Sequence, residues 1–428
     1  MCWGRELFLY ILATCLCIST LDAQPGAELP SGAPAESTVP SSAPPKSPVQ
    51  ISVDGLFAVG AANQEPERLR SLQGGGHDAK STGFNLQAIE LSLIGDVDSY
   101  LRAELHTVFG MNAATQESFF HLEEAFFEAP ALGAGFSAKG GHFLSPFGRI
   151  NTQHAHAWTY LDQPVIASRV LGFHGVSGLG LQAAWLAPTP IYWKFIASGQ
   201  NSLGEAMLSF GGIEGDTPSP RPYQRKDING LDRLVFGLRN ELGGDLSESV
   251  SSLAGLSFLT GPNALGEGTF TQIYGMDLTL KWQPLWAKRA WPFVTFQAEA
   301  MLRNYHVDPV ISDLNPTSTL DDIYVPGGTL SDYGAYAQLL WGFYRRWSMG
   351  LRLDMASGND DDLSLALFDP RRDDRLRVSP LLTFQPTEFA RLRAQYNLDR
   401  ATHLETLYAH GFWLGIEFMF GEHPAHDY

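Results

Sequence analysis

Between Val49 and Phe420 the chain repeats one pattern, in which apolar and polar side chains alternate over segments of about ten residues. In the segment from Trp347 to Met355, for example, every odd-numbered residue is apolar. A period of two places the apolar side chains on one face of a β-strand and the others on the opposite face. About sixteen such segments predict an all-β fold, a transmembrane antiparallel up-and-down β-barrel that faces lipid outside and water inside.

The connections between these segments alternate in length, which gives the predicted barrel a direction. The short ones are Gly95–Asp98, Pro130–Gly133, Pro188–Pro190, Gly243–Asp245, Pro284–Ala290, Tyr344–Arg346 and Gln385–Glu388. The long ones are Ala61–Thr82, Ser145–Ser177, Gln200–Gly230, His306–Leu330 and Ser357–Asp374. Outer-membrane barrels have short periplasmic turns and long external loops, so we expect the N-terminus to be periplasmic.

Tryptophans collect beside the short turns. They are Trp185, Trp193, Trp282, Trp286, Trp291, Trp341 and Trp347. Amphipathic rings favour the interface between membrane and water, and transmembrane barrels carry an aromatic girdle there. The position of the tryptophans therefore supports the same orientation of the barrel.

Residues 1–48 precede the barrel and are predicted to have two different roles. An apolar run near the start ends before Ala23, a small residue at a favourable cleavage position. We therefore interpret residues 1–23 as a secretory signal peptide. Residues 24–48 are rich in proline, alanine and serine and cannot bury enough apolar surface to fold. They are predicted to be a periplasmic linker, and residues 49–428 to be the barrel.

Composition and motifs argue against several classes of function. A formal net charge of −17 at pH 7 disfavours nucleic-acid binding. The 3 cysteines, Cys2, Cys15 and Cys17, all lie in the predicted signal peptide, so the exported protein is predicted to lack disulfides, thiolate metal sites and cysteine nucleophiles. The sequence contains no Gly-x-Ser-x-Gly, P-loop or His-Glu-x-x-His motif. We expect no enzymatic activity.

The last predicted strand, Trp413–Phe420, contains a glycine and ends with two late aromatic residues. In this strand, and in the layout of the whole barrel, the chain resembles the bacterial outer-membrane porins. That resemblance implies an outer-membrane location, contacts with lipid, lipopolysaccharide and the barrel-assembly machinery, and a homo-trimer. It also implies that the long loop after the fifth strand, Ser145–Ser177, folds into the lumen as a constriction loop.

A narrower resemblance lies within and beside this loop. The segments Phe147–Asn151, His154–Trp158, Asp162–Pro164 and Gly172–Gly178 resemble a group of porin-like proteins, some of which are described as zinc-regulated outer-membrane receptors. The loop residues that we select as candidates for the constriction are Arg149, His154, His156, Trp158 and Asp162.

Arginines that are predicted to face the lumen form the clearest candidate functional pattern. On three consecutive strands, the residues opposite the lipid-facing set include Arg352, Arg375, Arg377, Arg391 and Arg393. Neighbouring strands of a meander lie side by side, so these arginines are predicted to form one basic strip on the lumen wall. A basic wall opposite an acidic loop would produce a field that orients polar solutes. Alternatively, the arginines neutralise lumen carboxylates such as Asp277, Glu299 and Glu417.

Histidines form a second candidate pattern. His142, His154, His156 and His174 lie in or beside the long loop, and His106 and His121 are predicted to face the lumen. The pair His154 and His156 would bind zinc if further ligands converge on it, and in this chain those ligands would be His, Asp or Glu. A solvated loop whose histidines pack on Trp158 is the alternative.

Two acidic runs lie in predicted external loops. Asp321-Asp322 and Asn359–Asp362 would hold calcium if their carboxylates converge. They lack the spacing of a known calcium loop, so a solvated acidic surface is the alternative.

The predicted function is passive diffusion of small hydrophilic solutes or ions through a lumen that Ser145–Ser177 narrows, with no required cofactor. Two alternatives remain open. One is a zinc-linked outer-membrane receptor that binds metal through His154 and His156. The other is a non-conducting barrel that acts through its loops, as an adhesin does. Conductance separates the channel from the adhesin, and metal binding identifies the receptor.

Overall fold

The computed structural model describes residues 49–215, 221–312, 323–359 and 372–421. The predicted signal peptide and linker, residues 1–23 and 24–48, lie outside the described residues. The described residues, from Val49 onwards, belong to one compact unit. Across the described part of the chain, no helix is long and apolar enough to cross a bilayer.

β-Strands make up most of the described chain. Their bounds are β1 (Val49–Ala62), β2 (Gly83–Asp96), β3 (Arg102–Met111), β4 (Ser118–Gly133), β5 (Phe136–Leu144), β6 (Ser177–Leu186), β7 (Tyr192–Asn201), β8 (Leu234–Ser247), β9 (Val250–Pro262), β10 (Phe270–Trp282), β11 (Phe293–Val307), β12 (Val310–Ser312), β13 (Ile323–Val325), β14 (Gly328–Tyr344), β15 (Trp347–Gly358), β16 (Arg375–Thr387), β17 (Ala390–Ala401) and β18 (Tyr408–Gly421). The α-helices are α1 (Pro66–Leu72) and α2 (Val165–Leu171), and short 3-10 turns occur at Ala155–Ala157, Glu205–Met207 and Leu231–Arg233.

Sixteen of these strands close into one antiparallel barrel. Each pairs with the barrel strands before and after it in sequence, so that β11 pairs with β14. Closure is made by the first and last strands, where Val53 of β1 lies opposite Phe420 of β18. The remaining strands, β12 and β13, form a separate two-stranded sheet in the connection between β11 and β14. The predicted up-and-down barrel of about 16 strands is therefore confirmed.

Alternation sorts each strand into an outer and an inner face, as β16 shows. Leu376, Val378 and Leu382 are exposed although they are apolar, whereas Arg375 and Arg377 between them are buried. An apolar outer surface is favourable against lipid, and a closed barrel satisfies every backbone hydrogen bond of its strands without an edge. The arrangement is that of a barrel that spans a membrane.

The connections keep the predicted asymmetry, although it is not strict. On one side of the barrel they are short, at 97–101, 134–135, 187–191, 248–249, 283–292, 345–346 and 388–389. On the other side lie the long connections 63–82, 145–176, 202–233, 308–327 and 359–374, together with three short ones, 112–117, 263–269 and 402–407. Trp185 stacks on Phe136 and Phe195 at the end with short turns.

The main hydrophobic core lies inside the barrel rather than between layers of secondary structure. Phe147, Ile166, Val170 and Leu171 are fully buried, and all four belong to the connection between β5 and β6. They pack with inward-facing wall residues such as Met301 of β11. The predicted inward-folded long loop is therefore confirmed, and we call residues 145–176 the inserted loop.

Candidate functional site

Glycines in the barrel wall make room for side chains of the inserted loop. A Cβ atom at Gly275 of β10 would lie 2.5 Å from Cζ of Phe147. At Gly415 of β18 it would overlap the side chain of Leu161. The wall thus lacks a side chain at two positions where side chains of the loop fill the lumen. Close packing there depends both on the glycine of the wall and on the large side chain of the loop.

Polar contacts fix the first part of the loop to strands β9 and β11. The backbone N–H of Gly148 donates to Oγ of Ser257 at 3.0 Å. The N–H of Ile150 donates to Oε1 of Glu299 at 2.7 Å. Gly148 has φ +60°, a conformation that a residue without Cβ adopts at little cost. These bonds satisfy backbone donors that would otherwise be buried without a partner.

Asp162 ties the middle of the loop to the basic strip. Its carboxylate accepts hydrogen bonds from Arg352 at 2.7 Å, Arg377 at 2.7 Å, Gln395 at 2.8 Å and Asn397 at 2.6 Å. Both arginines and Asp162 are almost fully buried. We call Asp162 with these four partners the Asp162 latch. Two positive charges and two neutral donors on one buried carboxylate form a fully satisfied network.

The other arginines of the strip bind backbone carbonyl groups of the loop or carboxylates of the wall. Arg393 donates to the carbonyl oxygen of Trp158 at 3.0 Å and of Tyr160 at 3.2 Å. Arg391 donates to the carbonyl oxygen of His156 at 2.6 Å. Arg375 pairs with Asp399 at 2.8 Å. The five arginines that were selected from the sequence therefore lie together. Four of them, Arg352, Arg377, Arg391 and Arg393, bind the inserted loop.

The three carboxylates that were alternative partners for the arginines, Glu417, Asp277 and Glu299, differ in the residues that they bind. Glu417 pairs with both Arg391 and Arg393, at 2.5 and 2.8 Å. Asp277 pairs instead with Arg239 of β8 at 2.7 Å, and Glu299 accepts hydrogen bonds from the loop. The remaining selected loop residue, Arg149, is half-buried in the inserted loop.

The pKa of Asp162 predicts how the latch responds to acid. Burial alone would raise this pKa, but the charges of Arg352 and Arg377 outweigh burial and hold it well below its usual range. A carboxylate whose pKa is lower in the folded than in the unfolded protein stabilises the folded state. This stabilisation is complete above the pKa of the unfolded state, about 3.9, and is lost as the pH falls towards the pKa of the folded state.

We therefore expect the difference in thermal midpoint between the native protein and Asp162→Asn to be constant from about pH 7 to pH 5. Below about pH 4 the difference should shrink, because the native carboxylate then begins to be protonated in the unfolded state only. The measurement is thermal unfolding in detergent across this range. A difference that already disappears near pH 6 would contradict the assignment of this pKa to the latch.

On the opposite wall, a β-bulge turns two consecutive glutamates into the lumen. His106 of β3 lies opposite Glu124 of β4, whereas the next residue, Thr107, lies opposite Leu122. Glu123 is therefore the extra residue of β4, and it points inward together with Glu124. A bulge interrupts the alternation of faces by one residue, which explains why the strand pattern is blurred in the sequence at this place.

The glutamates of this wall surround His154 of the inserted loop. Nδ1 of His154 lies 2.8 Å from Oε1 of Glu90 and 3.0 Å from Oε2 of Glu123, and Nε2 lies 2.9 Å from Oε2 of Glu124. His156 contacts Oε2 of Glu90 through Nδ1 at 2.7 Å. Ionised carboxylates only accept hydrogen bonds. The arrangement therefore favours a positively charged His154.

The charge state of His154 follows from two opposing effects. Burial alone would lower its pKa, but the neighbouring charges of Glu90 and Glu123 outweigh burial and raise the pKa well above its ordinary value. The pKa of His156 is raised for the same reason, with Glu90 as the largest favourable influence. The inserted loop thus carries positive charge towards the acidic wall and negative charge, at Asp162, towards the basic wall.

Other selected histidines line the same region without joining this contact. His121 stacks on His174 with ring centroids 4.4 Å apart, and Nε2 of His142 lies 3.4 Å from Oγ of Ser177. Two further residues of this region, Glu90 and His77, are not among the candidates that the sequence pattern indicates. Glu90 lies in the inward phase of β2, between Ile89 and Leu91. The alternation of β2 would have located Glu90. His77 lies in the loop 63–82, where no periodic pattern marks an inward side chain.

The acidic runs that were proposed for calcium fall mostly outside the described residues. This holds for Asp321-Asp322 and for residues 360–362. Asn359 is described, and its Oδ1 accepts hydrogen bonds from Ser331 at 2.8 Å and Arg372 at 2.9 Å. Calcium binding by these runs stays a prediction.

Comparison with known proteins supports the fold. No protein-family model matches the sequence. A protein of uncharacterised function from Aquifex aeolicus (strain VF5) is 28% identical over 405 residues, which cover 87% of this chain and 78% of that protein. The chain is similar in structure to the anion-selective porin from Comamonas acidovorans, with 9% sequence identity, a TM-score of 0.50 and coverage of 87% of this chain and 100% of that chain.

A second similar structure is the outer membrane channel DcaP of Acinetobacter baumannii. It shows 11% sequence identity and a TM-score of 0.50, and the similarity covers 87% of this chain and 96% of that chain. The fold of this chain is therefore that of the bacterial outer-membrane porins, as the resemblance of its sequence predicted.

Proposed function

We propose that this chain is an outer-membrane channel for passive diffusion of small hydrophilic solutes or ions, with a lumen that the inserted loop narrows. The observation that carries the proposal is the inserted loop itself, which crosses the interior of a closed barrel and binds opposite walls through Asp162 and His154. An exposed apolar outer face supports a location in the outer membrane. The homo-trimer stays a prediction.

We further infer that the basic strip gives the channel a preference for anions, and that this preference is weak. Its five arginines face four carboxylates, Asp162, Asp354, Asp399 and Glu417, so most of the positive charge is compensated. Arg391 is the most exposed member, with 17% of its side chain accessible. Its partner Glu417 also binds Arg393, so Glu417 would keep a cationic partner if Arg391 were neutralised.

Conductance in planar bilayers tests the proposal. The purified protein should produce stepwise current increases in salt solution. In a salt gradient, Arg391→Gln should shift the reversal potential towards cation preference, because one charge is removed from the lumen wall. Arg225→Gln removes the same charge from an exposed loop position and serves as the control.

Two outcomes would contradict the proposal. An absence of current steps from protein that is folded by circular dichroism would favour the non-conducting, adhesin-like barrel. Equal reversal potentials for the native protein and Arg391→Gln would show that the basic strip does not determine the ion selectivity of the channel.

A further inference from the structure

We propose that Glu90, His106 and His154 form a binding site for a transition-metal dication, with Zn²⁺ preferred, where the inserted loop meets the barrel wall. One carboxylate oxygen of Glu90 and one ring nitrogen of each histidine lie within 4.8 Å of one another. The three residues come from β2, β3 and the inserted loop. A bound ion would therefore connect the loop to two strands of the wall.

The distances between the ligand atoms suit a small ion. Nδ1 of His154 lies 2.8 Å from Oε1 of Glu90, and Nδ1 of His106 lies 3.3 Å from the same oxygen. Ligands about 2.0–2.2 Å from a tetrahedral zinc ion are about 3.3 Å apart. The two distances to the Glu90 oxygen therefore differ from this spacing by about half an ångström or less.

Each of the three ligands is oriented by a further group on its far side. Nε2 of His106 lies 3.3 Å from Oε2 of Glu104, and Nε2 of His154 lies 2.9 Å from Oε2 of Glu124. The second oxygen of Glu90 lies 2.7 Å from Nδ1 of His156. Histidines that bind metal almost always donate their other ring N–H to a carboxylate, carbonyl or water. In this site that outer set of partners is present for every ligand.

The donor set decides the class of ion. Two imidazole nitrogens and one carboxylate oxygen favour zinc and its neighbours over calcium and magnesium, which prefer sites built from oxygen. Three protein ligands leave a fourth position for water. Binding of the ion would displace the Nδ1 proton of His154 to solvent. The carboxylates of Glu104, Glu123 and Glu124 add negative charge around the site, which favours a dication.

The structure also assigns different roles to the two histidines of the His-x-His pair. His154 contributes a ligand atom to the group of three, whereas His156 orients Glu90. Metal binding at these three residues does not require that the barrel conducts.

Calorimetric titration of the purified full chain in detergent with ZnCl₂ tests the site. We expect one ion per chain for the native protein, and a loss of affinity of at least tenfold in His106→Gln and in His154→Gln. Glu104→Gln changes only an orienting group and should weaken binding about tenfold to a hundredfold. His142→Gln is the matched control, because His142 lies beside the loop and contacts Ser177 instead of the site. Its affinity should equal that of the native protein.

Cobalt provides a second measurement that does not depend on a variant. Co²⁺ added to the native protein should give the intense visible absorption of a tetrahedral site with nitrogen and oxygen ligands, and Zn²⁺ should abolish it by displacement. An absence of zinc-binding heat from the folded native protein would overturn the proposal, as would unchanged affinity in both folded histidine variants. If both histidine variants fail to fold, unchanged affinity in Glu104→Gln together with a cobalt spectrum of octahedral type would overturn it.

Discussion

Asp162→Ala should lower the free energy of unfolding by about 3–5 kcal/mol, which is the usual cost of removing one partner from a buried ion pair. Asp162 is 1% exposed, and it compensates the charges of Arg352 and Arg377, which are buried to the same degree. Without the carboxylate, two guanidinium groups remain in the lumen with fewer partners. Arg352 retains Asp354 at 2.8 Å and Arg377 retains Asp399 at 2.9 Å, so we expect a destabilised barrel rather than an unfolded one.

The same variant should conduct more than the native protein. Asp162 is the anionic attachment of the inserted loop to the basic wall, so its removal frees the loop to move away from strands β15, β16 and β17. Single-channel recordings should show larger or more variable current steps. Thermal unfolding in detergent measures the loss of stability on the same samples.

Asp227→Ala is the control for both measurements. Asp227 also pairs with an arginine, Arg225, at 2.8 Å, but both side chains are largely exposed. Exposed pairs contribute little to stability, so neither the unfolding transition nor the conductance should change. An Asp162→Ala protein that unfolds and conducts like the native protein would show that the latch does not hold the loop.

The barrel could be predicted from the sequence because a membrane requires the same alternation of side chains in every strand. An inward residue and an outward residue alternate, and a shift by one residue exposes the wrong set to lipid. Parity therefore located most strands of the barrel, including β16 despite Pro380, whose ring faces outward. In the fourth and fifth strands the alternation is blurred. Parity also predicts that Arg352 and Arg377 lie on the same inner surface, as they do.

The interior of the site was predictable only in part, because its partners meet across the lumen. The contact between Asp162 and Arg377 joins residues 215 positions apart in sequence, and no periodic pattern connects a loop with a wall strand. The bulge at Glu123 changes the phase of β4, so alternation misplaces one of two adjacent glutamates there. The compensation of the arginines by carboxylates also follows from the folded geometry alone, because the sequence supports either a free or a neutralised strip.

Gly275→Leu should drive Phe147 out of its position and raise the single-channel conductance. Phe147 is fully buried, and a Cβ atom at Gly275 would lie 2.5 Å from its ring, closer than atoms tolerate. Gly275 belongs to β10, which is paired with β9 and with β11 on both sides of this glycine from Thr271 to Trp282. The wall is therefore less able to move than the loop. Overpacking of this kind costs about 1–3 kcal/mol.

Two further variants separate this effect from simple damage to the barrel. Gly199→Leu adds the same side chain to β7 at a position where the nearest atom, in the ring of Phe236, is 3.6 Å from the new Cβ. That variant should retain native stability and conductance.

Phe147→Ala in the Gly275→Leu background makes room for the new side chain, so the double variant should recover part of the lost stability. A favourable coupling between the two substitutions is expected only for residues in contact. Two results together would contradict the prediction: Gly275→Leu lowers stability without changing conductance, and Phe147→Ala does not restore stability. They would show that the contact of Phe147 with β10 does not control the width of the lumen.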